Sequence, residues 1–179
     1  MLKSKVTVLL VVDVQGQLAR MMYEDRSLVD NLQKIIKGVQ TLEIPIIWLE
    51  QLPDKLGSTI PEISELLAGI DPIKKNTFSA CGNKHFLESL KSLDAEQVLV
   101  TGIEAHICVY QTAMDLLSLD YEVEIVEGAV SSRTSDDKQL ALRKMSQAGI
   151  GMTCTEMALF ELLGVAEGAQ FKAILNIVK

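Results

Sequence analysis

Short apolar runs alternate along this chain with longer segments in which apolar residues recur every three or four positions. The first run, Val6–Val12, is almost wholly apolar, so it is predicted to be a strand covered on both faces. In Ser27–Leu42 the apolar residues follow helical spacing, and Ser27 is suited to cap the helix. Repeated alternation of this kind is typical of βαβ units that build a parallel sheet.

The pattern predicts a strand six times and a helix seven times. The predicted strands are Val6–Val12, Pro45–Leu49, Asp71–Lys75, Val98–Thr101, Glu122–Val126 and Gly149–Thr153. The predicted helices are Ser27–Leu42, Glu62–Leu67, Lys84–Leu93, Ile107–Leu119, Thr134–Ala148, Thr155–Leu163 and Gly168–Val178. Because crossovers between parallel strands are right-handed, we expect a Rossmann-like α/β fold, a three-layer α/β/α sandwich with strand order 3-2-1-4-5-6. Repeats and long linkers are absent, so residues 1–179 are predicted to form one domain.

Charge and composition argue against several classes of protein. A net charge of −7 gives no basic footprint for nucleic acid, and no apolar run approaches the roughly 20 residues of a membrane span. The three cysteines, at positions 81, 108 and 154, are odd in number and form no CxxC pair. We therefore predict neither a disulfide framework nor a zinc site, and we expect a reducing cytoplasm.

The segment Gly102–Cys108 carries the most informative chemistry. It follows an apolar strand and precedes a helical pattern, so Cys108 is predicted to lie near a helix start at the carboxyl end of the sheet. Free backbone N–H groups there favour a thiolate over a thiol, and they can hold a developing oxyanion. The alternative is that Cys108 is an ordinary small buried residue.

Two charged residues follow other predicted strands. Asp13 comes directly after the first strand, where a partly desolvated carboxyl suits a proton acceptor, although it equally suits a turn cap. Lys75 follows the short third strand and is suited to favour a thiolate and to attract an anionic or carbonyl substrate. Its alternative is a solvated lysine, and Lys74 is the neighbour with which it is most easily confused.

Cofactor and metal motifs are missing. Neither GxGxxG nor GxxxxGK[ST] occurs, and His85 and His106 are too far apart in sequence for an HxxH or HxH motif. His106 precedes Cys108 by two residues, and side chains with this spacing on a helix point apart. We therefore predict no cofactor, no metal and no direct Cys–His pair.

Three separated motifs together resemble one known superfamily. They are Val12-Asp-Val-Gln15, Lys75-Asn-Thr-Phe-Ser-Ala80 and Gly102-Ile-Glu-Ala-His-Ile-Cys108. In this order they resemble the isochorismatase-like cysteine hydrolases, which include nicotinamidases, N-carbamoylsarcosine amidases and isochorismatases. Further segments, such as Ala129-Val-Ser-Ser-Arg133, resemble the isochorismatase-domain-containing branch. The resemblance runs from about Val6 to Val178.

The resemblance implies a catalytic triad of Asp13, Lys75 and Cys108. Asp13 would take the thiol proton and pass it to a leaving group, and Lys75 would hold the carboxylate and thiolate in register. Cys108 would attack the carbonyl of a small amide or related substrate, and water would release the thioester-type intermediate. The resemblance also implies a cis peptide bond between Ile103 and Glu104, with the backbone N–H groups of Glu104 and Cys108 forming the oxyanion hole.

Further residues are candidates for the pocket wall. They are Gln15, Trp48, Phe78 and His106, with core packing as the alternative for Trp48. Nicotinamidases bind a metal through an Asp and histidines after the second strand, but the segment from Glu50 to Leu56 has no histidine. The resemblance therefore implies no metal-assisted nicotinamidase, and it leaves open whether any metal binds near Glu50 or Asp54.

The leading hypothesis is a cysteine-dependent hydrolase, whose partner is a small-molecule substrate rather than nucleic acid or a membrane. The alternative is a metabolite-binding or regulatory protein that retains the triad without using it. A thiol-redox protein is a third hypothesis, which the lack of a second cysteine near Cys108 in sequence disfavours. Because such assemblies are common in the superfamily, we also expect a homo-oligomer.

Overall fold

The computed structural model describes all residues, 1–179, and contains one parallel sheet of six strands. The strands are β1 (Thr7–Val12), β2 (Ile46–Gln51), β3 (Ile73–Lys75), β4 (Gln97–Ile103), β5 (Glu122–Ser131) and β6 (Gly151–Thr153). Their order is β3-β2-β1-β4-β5-β6. This confirms the predicted strand order and the α/β class.

Nine α-helices surround the sheet. They are α1 (Gly16–Arg20), α2 (Asp25–Thr41), α3 (Pro53–Leu56), α4 (Pro61–Ser64), α5 (Lys84–Ser92), α6 (Tyr110–Ser118), α7 (Ser135–Gln147), α8 (Thr155–Leu163) and α9 (Gly168–Val178). Short 3₁₀ turns lie at Glu65–Leu67 and Ala80–Gly82, and a π-helical turn lies at Ala105–Val109. None of the helices combines the length and the apolar character that crossing a membrane requires.

The sheet divides the core into two layers of buried side chains. Because successive strand residues point to opposite faces, Leu9 and Val11 of β1 belong to one layer and Leu10 and Val12 to the other. The first layer is completed by residues of α2, α8 and α9, and the second by residues of α5, α6 and α7. All residues of β1 and β4 are buried, which explains their continuous apolar runs.

Three strands extend further than their sequence patterns predict, and the first is β2, which ends at Gln51 instead of Leu49. β4 continues through Gly102 to Ile103 instead of ending at Thr101, and β5 continues to Ser131 instead of ending at Val126. The pairing register between these strands shifts between Val100 and Gly102, so a bulge separates two paired stretches. Glu127 and Gly128 interrupt the apolar run after Val126. The pattern of apolar residues therefore did not predict the second paired stretch of β5.

The helix predicted over Ile107–Leu119 begins differently. A π-helical turn starts at Ala105, two residues earlier, and only then does α6 begin at Tyr110. The predicted helix Glu62–Leu67 is a short α4 followed by a 3₁₀ turn, and the helices α1 and α3 were not predicted. All these differences lie in the loops that follow the carboxyl ends of strands.

Candidate active site

Three strand ends bring Asp13, Lys75 and Cys108 to one place. Asp13 directly follows β1, Lys75 is the last residue of β3, and Cys108 lies in the π-helical turn after β4. All three residues are buried, and the exposed fraction of Cys108 is 8%. The site therefore lies at the carboxyl edge of a parallel sheet, where open α/β folds bind their ligands.

The ammonium group of Lys75 is fully occupied by protein acceptors. Its Nζ donates to Asp13 Oδ2 at 2.7 Å and to Gln51 Oε1 at 2.6 Å, and it contacts the carbonyl oxygens of Thr77 and Phe78 at 3.2 Å each. An ammonium group has three N–H donors. No donor is left for a substrate, which corrects the expectation that Lys75 itself attracts an anionic or carbonyl group.

Gln15 does not line the cavity of the site, which is described below. Its hydrogen bonds instead hold a neighbouring residue of the site in place. Its Nε2 donates to the carbonyl oxygens of Gln51 and Gly57, and its Oε1 accepts a hydrogen bond from the Gln51 backbone N–H at 2.7 Å. The side chain is completely buried. Gln15 thereby fixes Gln51, a contributor to the site that the sequence patterns did not reveal because a lone glutamine at a strand end carries no motif.

Asp13 is buried, and one oxygen of its carboxyl group has no hydrogen-bond partner. Desolvation raises the pKa of Asp13 above its ordinary value, while the charge and hydrogen bond of Lys75 act in the opposite direction. Oδ1 is buried and accepts no hydrogen bond from an N–H or O–H group. The Cys108 thiol is close enough to this carboxyl to affect its titration, although no aligned hydrogen bond joins the two groups. The geometry suits transfer of the thiol proton to Asp13.

The thiol of Cys108 is protonated at neutral pH. Burial raises its pKa to about 12, the Asp13 charge adds to the rise, and Lys75 opposes it. The expected preference for a resting thiolate is therefore wrong. Cys108 is the fourth residue of the π-helical turn, so desolvation and a neighbouring carboxylate outweigh any effect of the helix start.

The peptide bond between Ile103 and Glu104 is cis. The Glu104 N–H donates no hydrogen bond to any other protein group, so it is available to an incoming oxygen atom. The Glu104 side chain accepts a hydrogen bond from Arg133 Nε at 2.8 Å, and this ion pair ties the segment after β4 to the end of β5.

A cavity of about 400 Å³ has Asp13 and Cys108 in its wall, whereas Lys75 lies buried behind Asp13. Its other polar lining residues are Gln51, Glu104 and Arg133. The apolar part of the wall consists of Leu18, Met21, Leu56, Phe78, Ile103 and Ile107. The cavity is thus mainly apolar, with a few polar groups in its wall.

Of the four pocket candidates, Phe78 lines the cavity and the other three do not. Besides Gln15, Trp48 lies in the core layer against α2, where its Nε1 donates to Thr59 Oγ1 at 2.8 Å. His106 points away from the thiol, and its Nδ1 is 2.9 Å from Ser132 Oγ. The helical geometry of the turn separates residues two apart, and the strand alternation of β2 directs Trp48 into the core.

The acidic residues Glu50, in β2, and Asp54, in α3, are not arranged as a metal site. Glu50 is buried, and its Oε1 accepts hydrogen bonds from the backbone N–H and the hydroxyl of Thr59. Asp54 lies in α3 and is exposed. No group of three or more His, Cys, Asp or Glu side chains is placed to hold a metal ion. The three cysteines are free, so none forms a disulfide.

Comparisons with a family model and with known sequences both identify the isochorismatase domain. The family model of the isochorismatase domain matches residues 7–157. The chain is 37% identical over 174 residues to isochorismatase domain-containing protein 2 of Danio rerio, an alignment that covers 97% of this chain and 87% of that protein.

Solved structures share the fold. The MAR1 ribonuclease structure from Caenorhabditis elegans superposes with a TM-score of 0.92 at 34% identity, covering 99% of this chain and 91% of that one. The YcaC gene product of Escherichia coli, described as an octameric hydrolase of unknown specificity, gives 0.93 at 19% identity, covering 98% and 88%. Because the domain match spans most of the chain and the sequence identity extends over nearly its whole length, this protein belongs to the isochorismatase family.

Proposed function

We propose that the protein is a cysteine-dependent hydrolase that cleaves the C–N bond of a small amide or a related carbonyl compound. The observation that carries the proposal is that Asp13 and Cys108 lie together in the wall of one cavity, and that the buried Lys75 Nζ is 2.7 Å from Asp13 Oδ2. The alternative of three unrelated buried residues does not explain why the thiol borders a cavity beside an unsatisfied carboxyl oxygen.

In the acylation step, Cys108 Sγ attacks the substrate carbonyl carbon while Asp13 takes the thiol proton. The raised pKa of Cys108 makes this proton transfer necessary, because the resting group is a thiol and not a thiolate. The carbonyl π electrons move to oxygen, and the N–H groups of Glu104 and Cys108 bind the oxyanion. The tetrahedral intermediate collapses, Asp13 gives its proton to the leaving nitrogen, and the C–N bond breaks.

In the second step, water releases the acyl group. Asp13, now ionised again, takes a proton from a water molecule that attacks the thioester carbonyl. The C–S bond breaks, and the thiolate of Cys108 recovers the proton from Asp13. The products are a carboxylic acid and an amine or ammonia, and the enzyme returns to its starting state.

Lys75 acts on Asp13 and not on the substrate. Its charge opposes the desolvation that raises the pKa of Asp13, so it keeps the carboxyl able to ionise and accept the thiol proton. Gln51 and the backbone carbonyls after β3 hold the ammonium group in position. The base is therefore fixed before substrate binds, which suits a proton transfer that requires a defined geometry.

The dimensions of the cavity support a small-molecule substrate, since about 400 Å³ is within the range of small-ligand pockets. The name ribonuclease belongs to the Caenorhabditis elegans neighbour. The net charge of −7 in the present chain does not favour RNA binding, which requires clustered cationic side chains. A homo-oligomer and a reducing cytoplasmic location remain predictions from sequence.

The experiment is a panel of small amides, carbamates and ureas, with ammonia or amine release as the readout. Cys108→Ser is expected to lose turnover on the order of a thousandfold or more. The control is Cys154→Ser, which replaces the exposed thiol and is expected to keep full turnover. Peptide mapping by mass spectrometry, after mixing with an activated p-nitrophenyl ester, is expected to place the acyl group on Cys108.

The outcomes separate the hypotheses. Full turnover in Cys108→Ser would refute the nucleophile assignment. If the panel shows no turnover while a metabolite copurifies tightly with the protein, the binding or regulatory alternative is favoured. Cleavage of a model RNA by the purified protein, lost in Cys108→Ser, would show that the substrate class is wrong although the nucleophile is right.

A further inference from the structure

Glu50 is a buried carboxylate without a counter-ion. Only 4% of this residue is exposed, and no lysine, arginine or histidine side chain forms an ion pair with it. Its Oε1 accepts hydrogen bonds from the backbone N–H and the hydroxyl of Thr59, whereas Oε2 accepts none from the protein. Buried glutamates are rarely unpaired, because the loss of hydration of the charge must be offset by an opposite charge. The protein itself supplies no such cation at Glu50.

The free oxygen of Glu50 is accessible from a second cavity, of about 480 Å³. Asp13 Oδ1 is the only side-chain oxygen or nitrogen that is both sealed from solvent and without a hydrogen-bond partner, so Glu50 Oε2 is not sealed. The second cavity lies beside β2 and β3, and its wall also contains Trp48, Asp71 and Lys74. It shares no lining residue with the cavity of the active site.

Strand alternation explains why two neighbouring sites are separate. Glu50 and Lys74 are partners in the register of β2 and β3, and both line the second cavity. The next pair in the register, Gln51 and Lys75, points to the opposite face of the sheet and belongs to the active site. Lys74 is exposed and forms no ion pair with Glu50.

The chemistry of the wall favours an organic cation over a metal ion. No group of three or more His, Cys, Asp or Glu side chains is placed to hold a metal ion, and Asp71 is the only other acid in the wall. The volume is within the range of small-ligand pockets. Trp48 and Pro72 offer apolar surface to an alkyl chain.

The acceptors of the wall suit an ammonium group better than a guanidinium group. A guanidinium fork pairs with both oxygens of a carboxylate, but Glu50 Oε1 is already used by Thr59. An ammonium group is a compact charge with three donors, and it can bond to single acceptors. Besides Glu50 Oε2, the wall provides the carboxylate of Asp71 and the hydroxyls of Ser58 and Ser64.

We infer that the second cavity binds a small primary alkylammonium ion, and that Glu50 is its counter-ion. The site lies beside the active site and is distinct from it. Trp48 reports on it directly, because Trp48 Nε1 donates to Thr59 Oγ1 and this hydroxyl donates to Glu50 Oε1. Trp48 is the only tryptophan in the chain, so no other indole contributes to the signal.

Two matched probes test the inference, with isothermal titration calorimetry for affinity and Trp48 fluorescence for location. The probes are butylammonium and butan-1-ol, which share a four-carbon chain and differ in charge, at constant ionic strength. The wild type is expected to bind butylammonium at least about tenfold more tightly than butan-1-ol, as a charge-assisted hydrogen bond implies. Glu50→Gln keeps an oxygen for the Thr59 bonds but removes the charge, so it should abolish this preference. Lys74→Met removes the only cation of the wall and should strengthen butylammonium binding.

Three further variants serve as controls. Asp54→Asn makes a similar charge change at an exposed residue outside the wall, and it should leave the affinity unchanged. Asp71→Asn alters an exposed residue of the wall and should weaken butylammonium binding severalfold, so the inference can be tested even if Glu50→Gln fails to fold. Cys108→Ser should bind butylammonium like the wild type, which keeps this result independent of the proposed hydrolase activity.

Several results would overturn the inference. They are equal affinities for the two probes in the wild type, a preference that survives in Glu50→Gln, and a butylammonium dissociation constant above about 10 mM. Binding in the active-site cavity would give the second of these results. Binding of magnesium ion that depends on Glu50 and excludes butylammonium would identify a metal site instead. Binding of butylammonium by Lys74→Met alone would show that Lys74 is the partner of Glu50 in solution.

Discussion

Lys75 Nζ lies 2.7 Å from Asp13 Oδ2, and the two side chains are 0% and 3% exposed. Removing two opposite charges from water costs several kcal/mol for each ion, and their attraction offsets this cost only when the remaining donors and acceptors are satisfied. The Lys75 donors meet that condition, but Asp13 Oδ1 does not. The pair therefore leaves one carboxyl oxygen without a hydrogen bond, as the proposed role of Asp13 as a proton acceptor would require.

Lys75→Met is expected to destabilise the fold, because it leaves Asp13 buried without its counter-ion. Breaking a buried ion pair from one side lowers the free energy of unfolding by about 3–5 kcal/mol. Adding Asp13→Asn removes the orphaned charge, so the double variant should be more stable than Lys75→Met alone. Urea denaturation of the three proteins measures both differences.

The control for this experiment is Lys84→Met. Lys84 forms an exposed ion pair with Glu88 on α5, and its loss should change the free energy of unfolding by less than about 0.5 kcal/mol. If Lys75→Met and Lys84→Met were equally stable, the buried pair would have no special energetic role.

Asp13→Asn is expected to change two properties of Cys108 in opposite directions. The Asp13 charge raises the pKa of Cys108 and Lys75 lowers it, so removing the carboxylate lowers the pKa of the thiol. Iodoacetamide should therefore modify Cys108 faster near pH 8, by about tenfold for each unit by which the pKa decreases. Turnover of any amide substrate should nevertheless fall about 10²–10⁴-fold, because the substitution removes the proposed general base.

Peptide mapping is needed to follow this alkylation, since Cys81 and Cys154 also carry free thiols. Asp115→Asn provides the control, because Asp115 raises the pKa of Cys81 and not that of Cys108. It should leave the Cys108 rate unchanged. Slower alkylation of Cys108 in Asp13→Asn would contradict the predicted gain in thiolate, and would mean that the loss of a base outweighs the loss of the neighbouring charge.

The raised pKa of Cys108 also predicts a pH dependence of stability. The folded thiol keeps its proton up to about pH 12, whereas the unfolded thiol loses it near 9.0. Between these values the folded state binds more protons, so the free energy of unfolding decreases as pH rises. Cys108→Ala lacks this contribution. The stability of the wild type relative to Cys108→Ala should therefore fall between about pH 8 and pH 10.5 in urea denaturation. A constant difference across this range would mean that the thiol is not shielded as the structure indicates.

Sequence patterns predicted the strand order and the position of Cys108, because both follow from where the buried apolar strands lie along the sequence. The buried strands β1 and β4 require continuous apolar runs, and the topology of a parallel sheet then brings their carboxyl ends together. Asp13 and Cys108 follow directly from those ends. The contact with Lys75 could be expected from the resemblance, but on composition alone a lysine after a short strand is more often solvated.

Other parts of the site depend on packing that no motif records. Gln51 and Arg133 line the cavity because neighbouring strands carry them there. Gln51 stands in no recognisable pattern, and the segment that ends at Arg133 resembles the family without assigning this residue to the cavity. The protonation state of Cys108 was misjudged because a sequence shows that a cysteine lies near a helix start but not how deeply it is buried. For Trp48 the sequence left both a pocket and the core open, because the direction of a strand residue depends on register, and the structure places it in the core.

Gly102→Ala is expected to be among the most damaging small substitutions in the protein. Gly102 has a φ of 110°, and a Cβ there would overlap the backbone of Val12, lying 2.6 Å from its N atom and 2.7 Å from its carbonyl carbon. Gly69→Ala is the matched control, since its φ of 92° is also unfavourable but nothing lies within 4 Å of the added atom. Conformational strain alone should cost Gly69→Ala about 1–3 kcal/mol. Gly102→Ala should lose at least about 2 kcal/mol more in urea denaturation, or fail to fold, because β4 cannot move away from β1 without breaking the central ladder. Equal stability of the two variants would show that the close approach is readily relieved.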